Sequence, residues 1–349
     1  MIYYFKRMKH LRLPEKKIKS QYHALALFSG GLDSILAIKL IQQQGLDVLG
    51  IHFFSPFFGN LEKVPQWEQE YNIDILPIEV SSEYFEIIKN PKYGRGKALN
   101  PCIDCKIYMF KKVKELMPLF NANFIITGEV VGQRPMSQRQ DSMNIIIRES
   151  KTNEFLLRPL SAKNLKPTRV EEEGIVDRSK LLDIRGRSRK RQLDLAKQFH
   201  IRKIPTPAGG CLLTDPQMAK RFKPIFNNKK SLTSNDFLLV RYGRQFWSDK
   251  YWFIVGRNHE DNLKLLKLAN ESDYIFKLID IPGPIGIGRS EKSTWPTELI
   301  ISAAKLIVWY SKARVKKGPV KIHLHRGSMV EEFQILPDNK KPTLWRGPL

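Results

Sequence analysis

Cysteine is scarce in this sequence, and long apolar runs are absent. The 349 residues include three cysteines, Cys102, Cys105 and Cys211. An odd and sparse set of this kind excludes a disulfide framework. No apolar run is long enough to cross a bilayer, and the start MIYYFKRMKHLRLPEKK lacks the apolar core and cleavage site of a signal peptide. We therefore expect a cytoplasmic protein with no membrane partner.

Acidic residues are few relative to basic ones. The chain has 35 Asp and Glu against 59 Lys and Arg, which gives a formal net charge of +24. A positive excess of this size typically serves a polyanion, and nucleic acid is the first expectation. A membrane surface is less favoured because no basic amphipathic helix stands out. A generally basic proteome would give the same charge without a function.

Short apolar runs alternate with helical patterns over the first half of the chain. This alternation indicates right-handed βαβ units, and therefore an α/β fold with a doubly wound parallel sheet. In such sheets, ligands bind beyond the carboxyl ends of the strands. The expected strands are 24–28, 47–54, 75–80 and 124–130, and the expected helices are 34–45, 61–72 and 102–120.

The character of the sequence changes twice after residue 165. A polar, basic and helical stretch ends in IPTPAGGCLLTDP (204–216), which is rich in Pro and Gly. Aromatic and aliphatic residues then recur at strand spacing, with a hairpin expected over 237–258 and a last strand over 318–326. The expected organisation is a basic N-terminal segment (1–21), an α/β domain (22–165), a basic helical extension carrying the third cysteine (166–230) and an α+β domain (231–349).

The stretch FSGGLDS (28–34) joins the first expected strand to the first expected helix. Backbone N–H groups at a helix N-terminus form an anion site, and glycines let a phosphate approach closely. Asp33 would repel a phosphate unless a cation lay between them, so a nucleotide-bound Mg²⁺ would give it a role. Simple helix capping by Ser and Asp is the alternative. The lysine of a GxxxxGK[ST] loop is missing, which disfavours a kinase.

The pattern S-G-G-x-D-S resembles the PP-loop of the ATP pyrophosphatases, which cleave ATP between its α and β phosphates. Two later stretches, TGEVVGQRPMSQ (127–138) and LRPLSAKNLKPT (157–168), resemble segments of the tRNA 4-thiouridine synthetases. The first of these has one residue inserted before its Ser-Gln pair. The resemblance implies an ATP site made by Ser29, Gly30, Gly31, Asp33, Ser34, His52, Phe53, Thr127, Gly128 and Gln133.

All three cysteines fall in two short segments. NPCIDCK (100–106) and AGGCLLTD (208–215) resemble the cysteine segments of the tRNA-specific 2-thiouridylases, with Cys102 where that family usually has Asp. In that family, one cysteine accepts sulfur as a persulfide and the other attacks it. Cys102 and Cys105 are three positions apart and share a face of the first turn of a helix, where the helix N-terminus stabilises thiolates.

Several chemistries suit three thiolates. A 4Fe-4S cluster held by Cys102, Cys105 and Cys211 would keep one iron without a protein ligand, free to hold hydrosulfide. A persulfide or catalytic disulfide needs two of them, and structural zinc would need a fourth ligand, for which His23 and His200 have no helpful spacing. Inert core cysteines are the remaining alternative. The cluster is favoured, and the expected catalytic residues are Asp33, Cys102, Cys105 and Cys211.

A basic cluster lies between the nucleotide segments and the last cysteine. We expect it to contact RNA phosphates, although a solvated face is the usual reading of a charge run. The C-terminal segment resembles the NFACT-R type of RNA-binding domain through VGRNHEDN and AAKLIVWYSKAR, with Lys277 where that family commonly has His. Tyr251, Trp252 and Trp309 are expected in its core. The cluster comprises Arg185, Arg187, Arg189, Lys190 and Arg191.

Together these features predict ATP-dependent thiolation of a tRNA uridine, with the C-terminal domain docking the tRNA. The TGEVVGQ stretch favours 4-thiouridine at position 8, and the cysteine segments favour 2-thiouridine at position 34. The sulfur donor would be sulfide or a persulfide carrier, and a homodimer is an open alternative. The rival functions are a small-molecule adenylating enzyme and a non-catalytic RNA-binding factor with a retired PP-loop.

Overall fold

The computed structural model describes residues 18–80, 82–205, 210–291 and 294–348. Most of the basic N-terminal segment, and Ala208 and Gly209 of the second cysteine segment, lie outside them. The chain divides into two compact units, Met1–Asp215 and Pro216–Leu349. Within the described residues, none of the helices is long and apolar enough to cross a membrane.

Unit 1 is built on a five-stranded, all-parallel sheet. Its strand order is β3-β2-β1-β4-β5, which confirms the expected α/β class. The strands are β1 (Ala24–Leu27), β2 (Val48–Phe54), β3 (Asp74–Glu79), β4 (Phe124–Thr127) and β5 (Leu156–Leu157). The helices are α1 (Leu32–Gln42), α2 (Val64–Tyr71), α3 (Ser82–Lys89), α4 (Cys102–Leu116), α5 (Gln140–Ser150), α6 (Arg169–Glu172) and α7 (Lys190–Gln198).

The sheet reverses its winding beside β1. Ala24 pairs with Val48 of β2 on one side and with Phe124 of β4 on the other. The chain builds β2 and β3 outward from β1, and then returns to place β4 and β5 on the opposite edge. This reversal leaves a crevice at the carboxyl ends of β1 and β4, the usual ligand site of open α/β sheets. The loops after these two strands are the two segments that resemble nucleotide-binding motifs.

The basic extension belongs to unit 1 as far as Asp215. Its apolar residues Val170, Leu181, Ile184 and Ala196 are buried in the same core cluster as β1 and α1. Helix α7 packs against α1. The extension therefore adds a layer to the α/β domain, because its apolar side chains have no separate core.

The boundary between the two units lies between Asp215 and Pro216 along the chain, whereas the sequence suggested a boundary at 230/231. The difference is helix α8 (Pro216–Asn228), which belongs to unit 2. The ring of Phe226 lies 5.0 Å from that of Phe237, and the ring of Phe222 lies 5.9 Å from it. These aromatic contacts carry α8 into the second core, although its polar sequence continues that of the extension.

Unit 2 has a six-stranded sheet in which every pairing is antiparallel, in the order β11-β10-β8-β9-β7-β6. The strands are β6 (Arg244–Ser248), β7 (Tyr251–Val255), β8 (Tyr274–Leu278), β9 (Gly286–Arg289), β10 (Val320–Arg326) and β11 (Met329–Ile335). The helices after α8 are α9 (Ser234–Leu239), α10 (His259–Leu268) and α11 (Thr297–Trp309). Together with the helices, this sheet gives the α+β unit that the sequence predicted.

The expected hairpin over 237–258 is shorter in the structure. Its first residues belong to α9, because Thr233 and Asp236 form a capping box that starts a helix there. Strands β6 and β7 then pair from Arg244 to Val255. Trp252 is buried as expected, whereas Tyr251 and Trp309 are only half-buried.

A buried ion cluster ties the elements of unit 2 together. Arg289 Nη2 lies 2.7 Å from Asp273 Oδ2, and its Nη1 lies 3.0 Å from Asp236 Oδ1. Lys229 Nζ also reaches Asp236 Oδ1, at 2.7 Å. Burial alone would raise the pKa of Asp236, but the two cations hold it below its usual value. The cluster fixes the end of α8 to α9 and β9.

Candidate functional site

The loop after β1 turns sharply into α1. Gly30 has a φ of +74°, and a side chain there would overlap the ring of Trp67 on α2. Ser34 Oγ donates to the carbonyl of Gly31 at 2.7 Å and lies 3.3 Å from Ser29 Oγ. The glycine and the two hydroxyls thus set the conformation of the loop, which brings the N-terminus of an 11-residue helix to the crevice.

The loop after β4 packs directly on the first turn of α1. Thr127 ends β4 and is buried. A side chain at Gly128 would overlap the backbone of Asp33 and Ser34. Gln133 Nε2 then donates to Asp33 Oδ2 at 2.8 Å. The two segments that resemble nucleotide motifs therefore form a single site.

Asp33 is the charged centre of this site. Burial raises the pKa of its carboxyl above the usual value, although hydrogen bonds from Gln133 and Gln192 and the charges of Arg189 and Arg134 oppose that rise. Its Oδ1 atom is buried and has no hydrogen-bond partner among the described residues. A buried acceptor with no donor suits a cation, so Asp33 could hold Mg²⁺.

His52 and Phe53 were expected to bind ATP, and the structure places both in the wall beneath the loop. His52 Nδ1 donates to the carbonyl of Phe28 at 3.0 Å, and its Nε2 accepts from the N–H of Asn60 at 3.0 Å. Burial lowers the pKa of His52, which favours this neutral form. Both ring nitrogens are used, so His52 positions the loop, and Phe53 is a core residue of β2.

A buried ion pair behind the site was not assigned from the sequence. Glu129 Oε2 accepts from Arg158 Nε at 3.0 Å, and both side chains are almost fully buried. Lys106 Nζ, on α4, lies 3.5 Å from Glu129 Oε1. The sequence did contain a cue to this pair, since Glu129 belongs to the TGE stretch and Arg158 to the RPL stretch. The pair joins the β4 loop to the segment after β5.

The three cysteines lie near one another in unit 1. Cys102 and Cys105 occupy the first turn of α4, and Cys211 precedes the short 3₁₀ helix Leu212–Thr214. The N–H of Leu212 donates to the carbonyl of Phe57 at 2.8 Å, and the N–H of Leu99 donates to the carbonyl of Leu213 at 3.0 Å. These bonds fasten the third cysteine segment between the loop after β2 and the start of α4.

Two donors that the sequence did not reveal point at the cysteine pair. The hydroxyl of Tyr84, buried on α3, lies 3.2 Å from Cys105 Sγ, and Asn100 Nδ2 lies 3.1 Å from Cys102 Sγ. Asn100 Nδ2 also lies 3.7 Å from the sulfur of Met136, in the β4 loop. Burial raises the pKa of the Cys105 thiol to about 11. Asn100 therefore contacts both the cysteine pair and the β4 loop.

The acid between the cysteines is occupied by backbone donors. Asp104 accepts from the backbone N–H groups of Lys92 and Tyr93, each at 3.0 Å. Burial and the neighbouring Cys105 raise the pKa of Cys211 to about 12. Within the ranges that the structure describes, no group of three or more His, Cys, Asp or Glu side chains is arranged to hold a metal ion. The donor set is nevertheless sulfur alone, the chemistry that an iron–sulfur cluster prefers.

The basic cluster lies beside the nucleotide loops. Val131 bridges to Arg185, and the N–H of Gly186 donates to the carbonyl of Val131 at 2.8 Å. Arg185, Arg187, Lys190 and Arg191 are exposed, and Arg191 pairs with Asp183 at 2.6 Å. Arg189 is half-buried, and its charge acts on Asp33. The five cations thus do not share one environment.

Two family models match this chain. Residues 19–167 match "Thiamine biosynthesis protein (ThiI)". The resemblance to the PP-loop enzymes of tRNA thiolation is confirmed. Residues 243–342 match "NFACT protein RNA binding domain", in agreement with the C-terminal resemblance. The ThiI match contains both nucleotide loops and the cysteine pair, and it ends before Cys211.

Curated relatives include both kinds of tRNA thiolation protein. A probable tRNA sulfurtransferase of Thermococcus kodakarensis is 30% identical over 168 residues, 47% of this chain and 41% of that protein. A tRNA-specific 2-thiouridylase of Chlorobium chlorochromatii is 25% identical over 199 residues, 53% of this chain and 52% of that protein. The chain thus spans about half or less of the length of these relatives.

Proposed function

We propose that this protein catalyses ATP-dependent thiolation of a uridine in tRNA. The observation that carries the proposal is the joining of the two nucleotide motifs by the Gln133–Asp33 hydrogen bond at the carboxyl ends of β1 and β4. The three cysteines beside this site supply a reason to activate a base. The net charge of +24 and the NFACT-type match suit an RNA substrate.

In the proposed reaction, the first turn of α1 and the loop amides bind the pyrophosphate part of ATP. Asp33 would hold Mg²⁺, which draws charge from the phosphates. A uridine oxygen attacks the α-phosphate and pyrophosphate leaves, which requires the base to be turned out of its stack. Sulfide then displaces the adenylated oxygen, and AMP is released. If a persulfide carrier is the donor, its outer sulfur displaces AMP to give a disulfide between base and carrier, and a cysteine thiolate of this chain then attacks the carrier's sulfur, which frees the thiobase and leaves a cysteine–carrier disulfide.

We further propose that Cys102, Cys105 and Cys211 hold a 4Fe-4S cluster. When bound, such a cluster would supply sulfide-binding chemistry at these three residues. The support is the sulfur-only donor set, since Asp104 is occupied by backbone N–H groups. Tyr84 and Asn100 donate towards two of the sulfurs, and the Tyr84 hydrogen bond partly opposes the burial that raises the pKa of Cys105. Persulfide chemistry on the same cysteines is the alternative.

Two target uridines remain as proposals. The ThiI match and the TGEVVGQ stretch favour 4-thiouridine at position 8. The cysteine segments and the similarity to 2-thiouridylases support 2-thiouridine at position 34 as a second candidate. The proposed partner is therefore tRNA in either case.

The proposal predicts that the anaerobically purified chain thiolates tRNA when Mg·ATP and sulfide are supplied. Mass spectrometry of the digested nucleosides should show 4-thiouridine or 2-thiouridine, and thereby decide between the two. Asp33→Ala should lower the yield at least about a hundredfold, because it removes the proposed metal ligand. Asp141→Ala is the matched control, since Asp141 also lies in the first turn of a helix but is exposed on α5.

Two results would contradict thiolation. ATP–pyrophosphate exchange that needs no tRNA and yields no thionucleoside would indicate a small-molecule adenylating enzyme. Tight tRNA binding with neither exchange nor thiolation would indicate an RNA-binding factor with a retired PP-loop.

A further inference from the structure

Arg189 differs from the other cations of the basic cluster. It is half-buried, whereas Arg185, Arg187, Lys190 and Arg191 are exposed. Within the described ranges, Arg189 makes no ion pair and no hydrogen bond through its guanidinium, whereas Arg191 pairs with Asp183. The charge of Arg189 acts on Asp33, but the two side chains form no direct ion pair, so the guanidinium donors stay available to an anion in the site. The position of Arg189 therefore indicates an anionic ligand.

The chain around Arg189 is fixed to the β4 loop. Arg185 bridges to Val131, and Gly186 donates to the same residue. A side chain on Gly132 would lie in ordinary contact with Gly186, 3.6 Å from its backbone nitrogen. The segment that leads to Arg189 thus runs along the loop that carries Gln133.

Gln192, three residues after Arg189, contacts the β4 loop. It is fully buried in the first turn of α7, and its Nε2 lies 3.5 Å from Gln133 Oε1. Gln133 in turn donates to Asp33 Oδ2 at 2.8 Å. The chain of contacts Gln192–Gln133–Asp33 joins the first turn of α7 to that of α1, so the residue that caps α7, Arg189, lies at the nucleotide loops.

A buried atom at this junction also has no partner. Gln192 Oε1 is inaccessible to solvent and makes no hydrogen bond among the described residues, and the same is true of Asp33 Oδ1. Buried acceptors without donors are rare in folded proteins unless a ligand or ion completes them. Two such oxygens from α1 and α7 mark the junction as a ligand site.

We propose that Arg189 binds a phosphate of the nucleotide, with Gln192 as its positioning residue, so that the basic cluster serves ATP at Arg189 and RNA at its exposed members. This inference rests on the ATP site of the proposed function. The electrostatics agree, because the charge of Arg189 acts on Asp33, the proposed Mg²⁺ ligand. Arg189 would then offset negative charge on the bound phosphates.

The test compares Arg189→Gln with Lys190→Gln in the full chain without tRNA. Both changes remove one positive charge, and their positions are adjacent, but Lys190 is exposed. Titration calorimetry with Mg and the non-cleavable α,β-methylene analogue of ATP should show at least tenfold weaker binding for Arg189→Gln, the size of one charge-assisted hydrogen bond. Lys190→Gln should stay within about twofold of wild type.

A phosphate series makes the test specific. The ratio between wild-type and Arg189→Gln affinities should be large for the analogue and for inorganic pyrophosphate, and close to one for AMP. Arg189→Lys should recover part of the loss, and its thermal unfolding should match that of wild type. Binding of tRNA at fixed low salt should fall no more for Arg189→Gln than for Lys190→Gln.

The outcomes separate this inference from the proposed function. Equal losses for the two Gln variants, or a loss confined to tRNA, would overturn the role of Arg189 while leaving thiolation intact. Wild-type protein that binds the analogue but never thiolates tRNA would overturn thiolation and leave Arg189 as a nucleotide ligand. Wild-type protein that binds no nucleotide would overturn both.

Discussion

At the scale of single residues, Cys102 and Asp104 show how two neighbouring positions acquire different roles. Both lie in the first turn of α4, and both are plausible metal ligands by residue type. The structure gives Asp104 two backbone N–H donors at 3.0 Å and gives Cys102 the side-chain amide of Asn100. Asp104 therefore has a structural role, and Cys102 is the one of the two that remains a candidate metal ligand.

The proposed cluster predicts different consequences for these two residues. Cys102→Ala should lower the iron and acid-labile sulfide of anaerobically purified protein, because one of three ligands is lost. Asp104→Ala should keep the iron content per folded chain but lower the free energy of unfolding by about 1–3 kcal/mol, since two backbone donors lose their partner. Metal analysis and urea denaturation measure the two effects.

Comparison of the iron content of Cys102→Ala with that of Asp104→Ala provides the control. An iron-free wild-type protein with full thiolation activity would exclude the cluster and favour a persulfide. Iron lost equally from both variants would mean that Asp104 is needed for cluster binding.

Residues of the candidate site could be predicted from the sequence where they lie together in a contiguous motif. Ser29 to Ser34 and Thr127 to Gln133 were assigned to the nucleotide from their order along the chain, and the structure brings them together. Tyr84 and Gln192 were missed because a lone Tyr or Gln carries no pattern. Their roles come from contacts with distant residues, which spacing does not encode.

At the scale of elements, the close approach of the β4 loop to α1 decides the geometry of the site. Strand β4 was expected to run from 124 to 130 but ends at Thr127. The chain turns there because Gly128 must pack against the backbone of Asp33, and a glycine has no side chain to obstruct that contact. Because Gly128 has no side chain, the β4 loop and the first turn of α1 lie close enough to contact the same proposed ligand.

This contact predicts that Gly128→Ala weakens nucleotide binding. The added methyl would push the β4 loop off α1 and break the Gln133–Asp33 hydrogen bond, so affinity for Mg·ATP should fall at least about tenfold. Overpacking of this kind costs roughly 1–3 kcal/mol of stability. Calorimetric titration and chemical denaturation give the two values.

Gly210→Ala is the matched control for Gly128→Ala. Gly210 has no positive φ, and a side chain there would meet nothing within 4 Å among the described residues. This variant should bind the nucleotide like wild type. Equal behaviour of the two variants would show that the packing of the two loops is not needed for binding.

Several elements could be predicted and others could not. The apolar runs of β1 to β3 were assigned to within one residue of the observed bounds, because buried parallel strands are apolar throughout. Strand β5 has two residues, too few to show a period. Strand β11 was missed because MVEEFQI is mostly exposed and lies at the sheet edge, where little apolar pattern is required.

At the scale of the whole molecule, the chain is two units with separate cores. Unit 1 contains the nucleotide loops, the three cysteines and the basic cluster. Unit 2 contains the region that matches the NFACT-type RNA-binding domain. This division supports assigning catalysis to unit 1 and tRNA docking to unit 2.

The division predicts that the position of a truncation matters. A chain ending at Asp215 should stay soluble and bind Mg·ATP like the full protein, while its affinity for tRNA falls at least about tenfold because many phosphate contacts are lost. A chain ending at residue 230 should aggregate, because α8 would expose Phe222 and Phe226 without the core of unit 2. Gel filtration, calorimetry and tRNA binding at fixed salt compare the two.

The chain that ends at residue 230 serves as the control for the position of the boundary. Equal solubility of the two truncated chains would contradict the assignment of α8 to unit 2. Unchanged tRNA affinity after removal of unit 2 would contradict the docking role and place tRNA binding on unit 1.

The sequence by itself determined the α/β class, the resemblance of two loops to nucleotide motifs, the similarity to tRNA thiolation proteins and the similarity of the C-terminal unit to the NFACT-type domain. Each depends on contiguous residues whose period or order is visible along the chain. Only the tertiary structure decided that Arg189 and Gln192 lie near Asp33, that Asp104 accepts from two backbone N–H groups and that α8 belongs to unit 2. These depend on which buried surfaces meet, and distant segments meet only when the chain packs.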